Sequence, residues 1–173
     1  MLEAVIFVVF AFCMAFAAFS DLLTMTIANR VSLLLIGTFA IVAPFTGMDL
    51  ATYGWHFAAG GMVLVITFGL FAMGGLGGGD AKLLSAIAVW CGFGDPLVEY
   101  MLYATLLGGL LTVSIVLWRG SHSAYYAGAH FAFLEKLARK DVGVPYGIAL
   151  GAAGLIASPS MPLIAWAVAS VAR

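Results

Sequence analysis

Apolar residues in this chain are gathered into long runs, each close to the roughly 20 residues that a helix needs to cross the hydrocarbon core of a bilayer. A soluble domain of 173 residues could not bury them, because 64% of the residues are hydrophobic and only 9% are charged. The sequence therefore predicts an all-α, polytopic membrane protein that forms one membrane-embedded domain over residues 1–173. We expect six transmembrane spans, at about residues 2–19, 31–45, 55–73, 81–93, 98–118 and 146–171.

Two of the predicted spans have unusual features. Pro159 and Pro162 interrupt the sixth, and proline removes a helical hydrogen bond and clashes with the preceding turn. We therefore expect that span to be kinked or divided. The fourth is short, because a helix from Asp80 to Phe93 rises only about 21 Å against a hydrocarbon core of roughly 30 Å.

Lysine and arginine predict the orientation. Apart from Arg173, all of them lie in odd-numbered connections between spans: Arg30, Lys82, Arg119, Lys136, Arg139 and Lys140. The positive-inside rule places these connections in the cytoplasm and both chain ends outside. Asp21, which ends the first span, and Asp80, which begins the fourth, are then at the cytoplasmic face. The net charge of −1 leaves no basic stripe, so nucleic acid is not expected as a partner.

The fifth connection and the tryptophans predict contacts with the membrane interface. Phe131, Leu134 and Ala138 share one side of a helix, with charged residues on another. This pattern fits a helix lying next to anionic lipids, and a plain solvated connector fits it equally well. Tryptophans at span ends usually anchor helices in the interface. Three positions fit that description: Trp55, Trp90 and Trp118.

Asp21 and Asp80 are the strongest candidates for chemistry, because a carboxylate at membrane depth is costly to desolvate and is usually retained for a function. Asp80 closes a run with five glycines in six residues, at positions 74–79. We expect irregular backbone there, which takes positive φ or lets another chain approach closely. A hinge or a helix-packing surface is the alternative. Considered alone, Asp21 would be interpreted as a solvated residue at a helix end, and only its pairing with Asp80 makes it a candidate for chemistry.

Two carboxylates within hydrogen-bonding reach share one proton. One can accept a proton from an attacking water while the other donates one to the scissile carbonyl, which is aspartic-protease chemistry. Asp80 is expected at a helix N-terminus and Asp21 at a C-terminus, so the helix dipole favours Asp80 as the resting base and Asp21 as the proton carrier. We expect no cofactor and no metal, since His122 and His130 lack partners at ligand spacing.

Three segments of the chain resemble the GxGD family of type IV prepilin peptidases: Ser20-Asp21 with Ile27-Ala28-Asn29, Gly77-Gly78-Gly79-Asp80-Ala81-Lys82, and Val144-Pro145-Tyr146-Gly147. The short length is most similar to the subgroup that serves Flp-type, tight-adherence pili. The resemblance implies an aspartic endopeptidase of the bacterial inner membrane that removes short hydrophilic leaders, which end in glycine and precede a hydrophobic helix, at the cytoplasmic face. It also implies prepilins as substrates and pilus or secretion assembly proteins as further partners.

The resemblance also assigns roles to individual residues. It makes Asp21 and Asp80 the catalytic pair and Gly77 and Gly79 the motif glycines. Together with Lys82, these glycines are expected to shape the loop or bind substrate.

The chain departs from the family pattern in two places. Ala28 stands where proline is common, which bears on the shape of that loop. The connection between Asp21 and Arg30 is too short for the cytoplasmic cysteine domain that longer members insert there. We therefore expect neither zinc nor methylation of the mature pilin.

Two other classes of protein fit the same carboxylates. An ion-coupled transporter could use Asp21 and Asp80 as cation or proton sites beside broken, glycine-rich helices. Transporters usually carry internal repeats, and the two halves of this chain do not resemble each other. A structural subunit of a secretion assembly could instead use the aspartates for polar contacts between helices.

Overall fold

The structure is a computed structural model that describes residues 1–121, 132–139 and 142–172. Over these ranges the chain is built from helices and contains no strand. The helices are α1 (Leu2–Thr24), α2 (Asn29–Val42), α3 (Leu50–Ala72), α4 (Gly78–Cys91), α5 (Asp95–Arg119), α6 (Ala132–Ala138), α7 (Tyr146–Ala157) and α8 (Pro162–Val171). The predicted all-α, polytopic class is confirmed.

The described helices provide four single spans and one broken span. Those long and apolar enough to cross a membrane are Leu2–Thr24, Asn29–Thr46, Leu50–Ala72 and Asp95–Arg119. The broken span joins Tyr146–Ser160 to Pro162–Val171 with a bend of 56°. The fourth predicted span is α4, which has only 14 residues and is too short to cross a bilayer alone.

The predicted interruption of the last span is confirmed, and proline explains its form. Pro159 lies in a 3₁₀ turn, Ser158–Ser160, which ends α7. Pro162 is the first residue of α8. At that position the missing N–H costs nothing, because the first amides of a helix have no partner within the helix.

The short helix α4 forms the core of the bundle. It packs against α2, α3, α5 and α7, and its side chains from Leu83 to Cys91 are all buried. A helix that is apolar all round belongs inside a protein. Because neighbouring helices surround α4, its ends can stop short of the membrane surfaces without exposing unpaired backbone to lipid.

Burial of α4 corrects one prediction about tryptophan. Trp90 is fully buried; its indole N–H donates to the Leu35 carbonyl oxygen at 3.1 Å, and its ring packs against Phe10. It is a core residue and not an interfacial anchor, because the end of α4 lies inside the bundle. Trp55, by contrast, is 63% exposed at the start of α3.

The fifth connection is described only in part. The helix predicted there is present as α6, in which Glu135 and Lys136 are exposed and Leu134 is half-buried. Phe131 and Lys140, which belong to the same prediction, lie outside the described residues, as do His122 and His130.

Candidate active site

Asp21 and Asp80 lie on the walls of one cavity. Asp21 is in the last turn of α1, Asp80 is in the first turn of α4, and both side chains are buried, with 5% and 9% of their surfaces exposed. The cavity has a volume of about 270 Å³. Its other walls are the connection between α1 and α2 and the glycines at 77–79. The fold therefore brings together the two carboxylates that the sequence singled out.

A backbone amide from a distant segment holds Asp21. The N–H of Gly147, the second residue of α7, donates to Asp21 Oδ2 at 2.7 Å in a buried setting. A Cβ atom at Gly147 would lie 2.7 Å from the Asp21 Cβ and 3.0 Å from the Ala17 carbonyl oxygen, so only glycine allows this approach. The contact was not predicted from the sequence. Its signal was the position of Gly147 in the segment Val144-Pro145-Tyr146-Gly147, which opens the last apolar run.

Asp21 lies at two helix ends at once, the C-terminal turn of α1 and the N-terminus of α7. Asp80 lies at the N-terminus of α4. Both carboxylates therefore face the positive end of a helix dipole. Because Asp21 also faces the N-terminus of α7, the helix dipoles do not distinguish the two carboxylates, and the assignment of the proton to Asp21 stays a prediction.

Glycines 77 and 79 permit two close contacts at the start of α4. A Cβ at Gly77, the residue before the helix, would lie 2.5 Å from Asp80 Oδ2. A Cβ at Gly79 would lie 3.2 Å from the Ile27 Cβ and 3.3 Å from the Ile27 backbone nitrogen. The first glycine leaves room for the Asp80 carboxylate, and the second lets the connection between α1 and α2 lie against α4.

The glycine run is less irregular than predicted. Gly74 does take a positive φ, of 77°. Gly78 and Gly79, however, are the first two residues of α4, so the prediction of irregular backbone is wrong for them. Their lack of a side chain serves packing, because a larger residue at Gly79 would meet Ile27.

A hydrogen bond at the mouth of the cavity joins two of the motif segments. Lys82 Nζ donates to Asn29 Oδ1 at 2.9 Å, and both residues are exposed. This bond links the first residue of α2 to α4. Lys82 thus holds the connection between α1 and α2 beside the glycines.

The connection itself has a well-defined shape despite the absence of proline. Ala28 precedes α2 with φ −67° and ψ 133°. Proline fixes φ near −65°, so this backbone has the conformation that proline would impose. Thr24 Oγ1 donates to the Ser20 carbonyl oxygen at 2.7 Å, and Ser20 Oγ donates to the Thr26 carbonyl oxygen at 3.1 Å.

A second, larger cavity opens beside the catalytic candidates. It has a volume of about 590 Å³ and lies between α3 and α5, with walls that are largely apolar, such as Ile66 and Met101. At one end it reaches Gly75 and Leu76 of the glycine run and also Tyr146. This apolar groove therefore extends from the faces of α3 and α5 to the glycine run that precedes Asp80.

The chemistry available at the site is proton transfer by two carboxylates. Within residues 1–121, 132–139 and 142–172, no group of three His, Cys, Asp or Glu side chains is placed to hold a metal ion. The fold and the site together define a polytopic helical membrane protein with two buried carboxylates on one cavity.

The chain belongs to the type IV leader peptidase family, whose family model matches residues 8–117, more than half of the chain. Asp21 and Asp80 both lie within the matched residues, whereas Gly147 lies beyond them. No curated protein and no solved structure matches the chain. Membership of the family indicates a leader peptidase-type protease.

Proposed function

We propose that the protein is an aspartic endopeptidase that removes the leader peptide from Flp-like type IV prepilins at the cytoplasmic face of the bacterial inner membrane. The observation that carries this proposal is the meeting of Asp21 and Asp80 on one small cavity. Burying a carboxylate inside a membrane costs free energy, so such residues are usually retained for a function. Family membership supports peptide hydrolysis as that function.

The proposed reaction uses the two carboxylates as one unit. The ionised carboxylate takes a proton from water, and the water oxygen bonds to the carbon of the scissile carbonyl. The protonated carboxylate gives its proton to the carbonyl oxygen, which forms a tetrahedral diol. The carbon–nitrogen bond then breaks. The nitrogen receives the proton taken from water, and a diol hydroxyl returns its proton to the second carboxylate.

Gly77, Gly79 and Lys82 act in this proposal by shaping the loop. The glycines allow the Asp80 carboxylate and the chain at Ile27 to come close to the start of α4. Lys82 fixes the α1–α2 connection through Asn29. Bound in this way, Lys82 is better suited to positioning the loop than to contacting substrate.

The cytoplasmic orientation is supported by the charges at the two ends of the bundle. Exposed Arg30 and Lys82 lie at the end that carries the two catalytic candidates. Asp49 and Asp95 open α3 and α5 at the opposite end. The positive-inside rule places the first end in the cytoplasm.

The apolar groove between α3 and α5 is the proposed path for the hydrophobic segment of the substrate. Its inner end lies beside the glycine run, so the polar leader that precedes an apolar segment held in the groove would lie toward Asp21 and Asp80. Gly109→Leu would fill the groove from α5, where a Cβ atom has free space, and should raise KM. Gly61→Leu, also in free space but outside the groove, is the control. Equal KM values for both variants would contradict this path.

The activity itself is tested by incubating the purified protein with a pilin precursor and determining the N-terminus of the product. The wild-type protein should remove the leader, and Asp21→Asn and Asp80→Asn should leave the precursor intact, with or without a chelator. Asp49→Asn is the matched control, because Asp49 lies at the other end and asparagine preserves its role as a helix cap. An intact precursor with wild-type protein would favour a transporter or a structural subunit instead.

A further inference from the structure

The amide that holds Asp21 belongs to a segment whose position is set elsewhere. Gly147 is the second residue of α7, so its N–H has no partner within the helix and is available to Asp21. A hydrogen bond of this kind orients a carboxylate only if the donor itself is fixed. The orientation of Asp21 therefore depends on the contacts that fix the start of α7.

Arg119, the last residue of α5, binds the chain that leads into α7. Its Nη2 donates to the Val142 and Gly143 carbonyl oxygens at 3.0 and 2.9 Å, and its Nε donates to the Leu137 carbonyl oxygen at 2.7 Å. Leu137 lies in the last turn of α6, where carbonyls lack partners within the helix. One guanidinium thus joins the ends of α5 and α6 to the segment before Gly147.

The same face of α5 makes a second contact with that segment. Thr112 Oγ1 and the Tyr146 hydroxyl lie 2.9 Å apart, and the Tyr146 ring lies against Gly108. Thr112 and Arg119 are about two helical turns apart on one face of α5. The segment from 142 to 146 is therefore fastened to α5 at both of its ends, and Gly147 follows directly.

We propose that Arg119 is a positioning residue for Asp21: by holding the carbonyls of Val142 and Gly143, it fixes the Gly147 amide that orients the Asp21 carboxylate. The proposal rests on the proposed function. A planar guanidinium with its donors in a rigid fork suits three carbonyls at once, whereas a lysine ammonium is a flexible point charge. The charge of Arg119 matters less than its geometry.

The test compares Arg119→Gln, Arg119→Lys and Lys136→Gln in the full-length protein. Lys136→Gln is the control, because it removes an exposed positive charge from α6 next to Leu137. We expect kcat for precursor cleavage to fall by roughly 10- to 100-fold in Arg119→Gln, with KM unchanged, since misplacing a reacting group acts on the chemical step. Arg119→Lys should recover part of kcat, and Lys136→Gln should behave as wild type.

Hydrogen–deuterium exchange of the Gly147 amide is the second readout. It should lose its protection in Arg119→Gln while amides in α4 keep theirs. Wild-type protection of the Gly147 amide in Arg119→Gln would overturn the proposal, whatever the activity. If Arg119→Gln does not fold, Arg119→Lys provides the test. Wild-type kcat and full protection of the Gly147 amide in Arg119→Lys would contradict the claim that the guanidinium geometry of Arg119 is required. A wild-type protein that leaves the precursor intact rejects the proposed function, while the exchange measurement still tests Arg119.

Discussion

Ionisable side chains are buried at both ends of α4, but their surroundings differ. At the C-terminal end, His56 Nδ1 donates to the Val89 carbonyl oxygen at 2.7 Å, and its ring packs on Phe39 and beside Gly92. At the N-terminal end, Asp21 and Asp80 line a cavity together. The histidine satisfies a carbonyl at a helix end and packs against an aromatic ring. The two carboxylates line a shared cavity.

Cavity size does not separate these two ends. The space beside His56, lined also by Thr52, Trp55 and Phe93, has a volume of about 580 Å³, whereas that beside the aspartates has about 270 Å³. The smaller cavity is the one that collects two carboxylates. A buried ionisable group therefore indicates chemistry when a second such group faces the same space, and indicates structure when the backbone alone accounts for it.

Among changes that leave both carboxylates in place, the largest effect is expected from Gly147→Ala. The new Cβ would lie 2.7 Å from the Asp21 Cβ, so Asp21 or α7 must shift. A displacement of this size in a catalytic group should lower cleavage by on the order of 100-fold, because the reacting geometry is lost. Gly37→Ala, in α2 with no atom within 4 Å of the new Cβ, is the control. Wild-type cleavage by Gly147→Ala would contradict the assignment of chemistry to the N-terminal end of α4 and of a structural role to its C-terminal end.

A smaller effect, on stability alone, is expected from His56→Phe. The change leaves the Val89 carbonyl without its partner in a buried position, and an unsatisfied buried polar group costs about 1–3 kcal/mol. Thermal unfolding in detergent should show the loss, while cleavage by the folded protein stays unchanged. A fall in kcat comparable to that of Gly147→Ala would mean that both ends of α4 serve the reaction.

The smallest effect is expected from Ala28→Pro. The φ of −67° at Ala28 already suits proline, so the change should reduce the entropy of the unfolded chain without altering the loop. We expect a gain in stability of about 0.4–1 kcal/mol and unchanged cleavage. Unfolding and cleavage assays on the same preparation measure both. Destabilisation would show that the connection beside Asp80 has a shape that proline cannot adopt.

The sequence was sufficient for features that depend on composition and on local backbone rules. The length of the apolar runs predicted the helical membrane class, and Pro159 and Pro162 predicted the broken last span. The span assignment put Asp21, at the end of the first span, and Asp80, at the start of the fourth, at one face, and the structure places them on one cavity. Each of these inferences uses neighbouring residues or a rule that applies to every helix.

Features that depend on which side a helix faces could not be predicted. Lipid and protein interior are equally apolar, so periodicity does not reveal that Trp90 is buried or that α4 is the core. The bond between Gly147 and Asp21 joins residues 126 positions apart. At Gly79 the sequence predicted either irregular backbone or the close approach of another chain. The packing of the helices shows that Gly79 is closely approached, by Ile27.

The most direct test of the central claim, that Asp21 and Asp80 act as one unit, is precursor cleavage by Asp21→Asn, Asp80→Asn and the double variant. Groups that share a proton are strongly non-additive, so either single change should abolish cleavage and the second should add little. Asparagine nearly preserves shape, so protein levels should match the wild type. Robust cleavage by either single variant, or losses that simply add, would contradict the two-aspartate account.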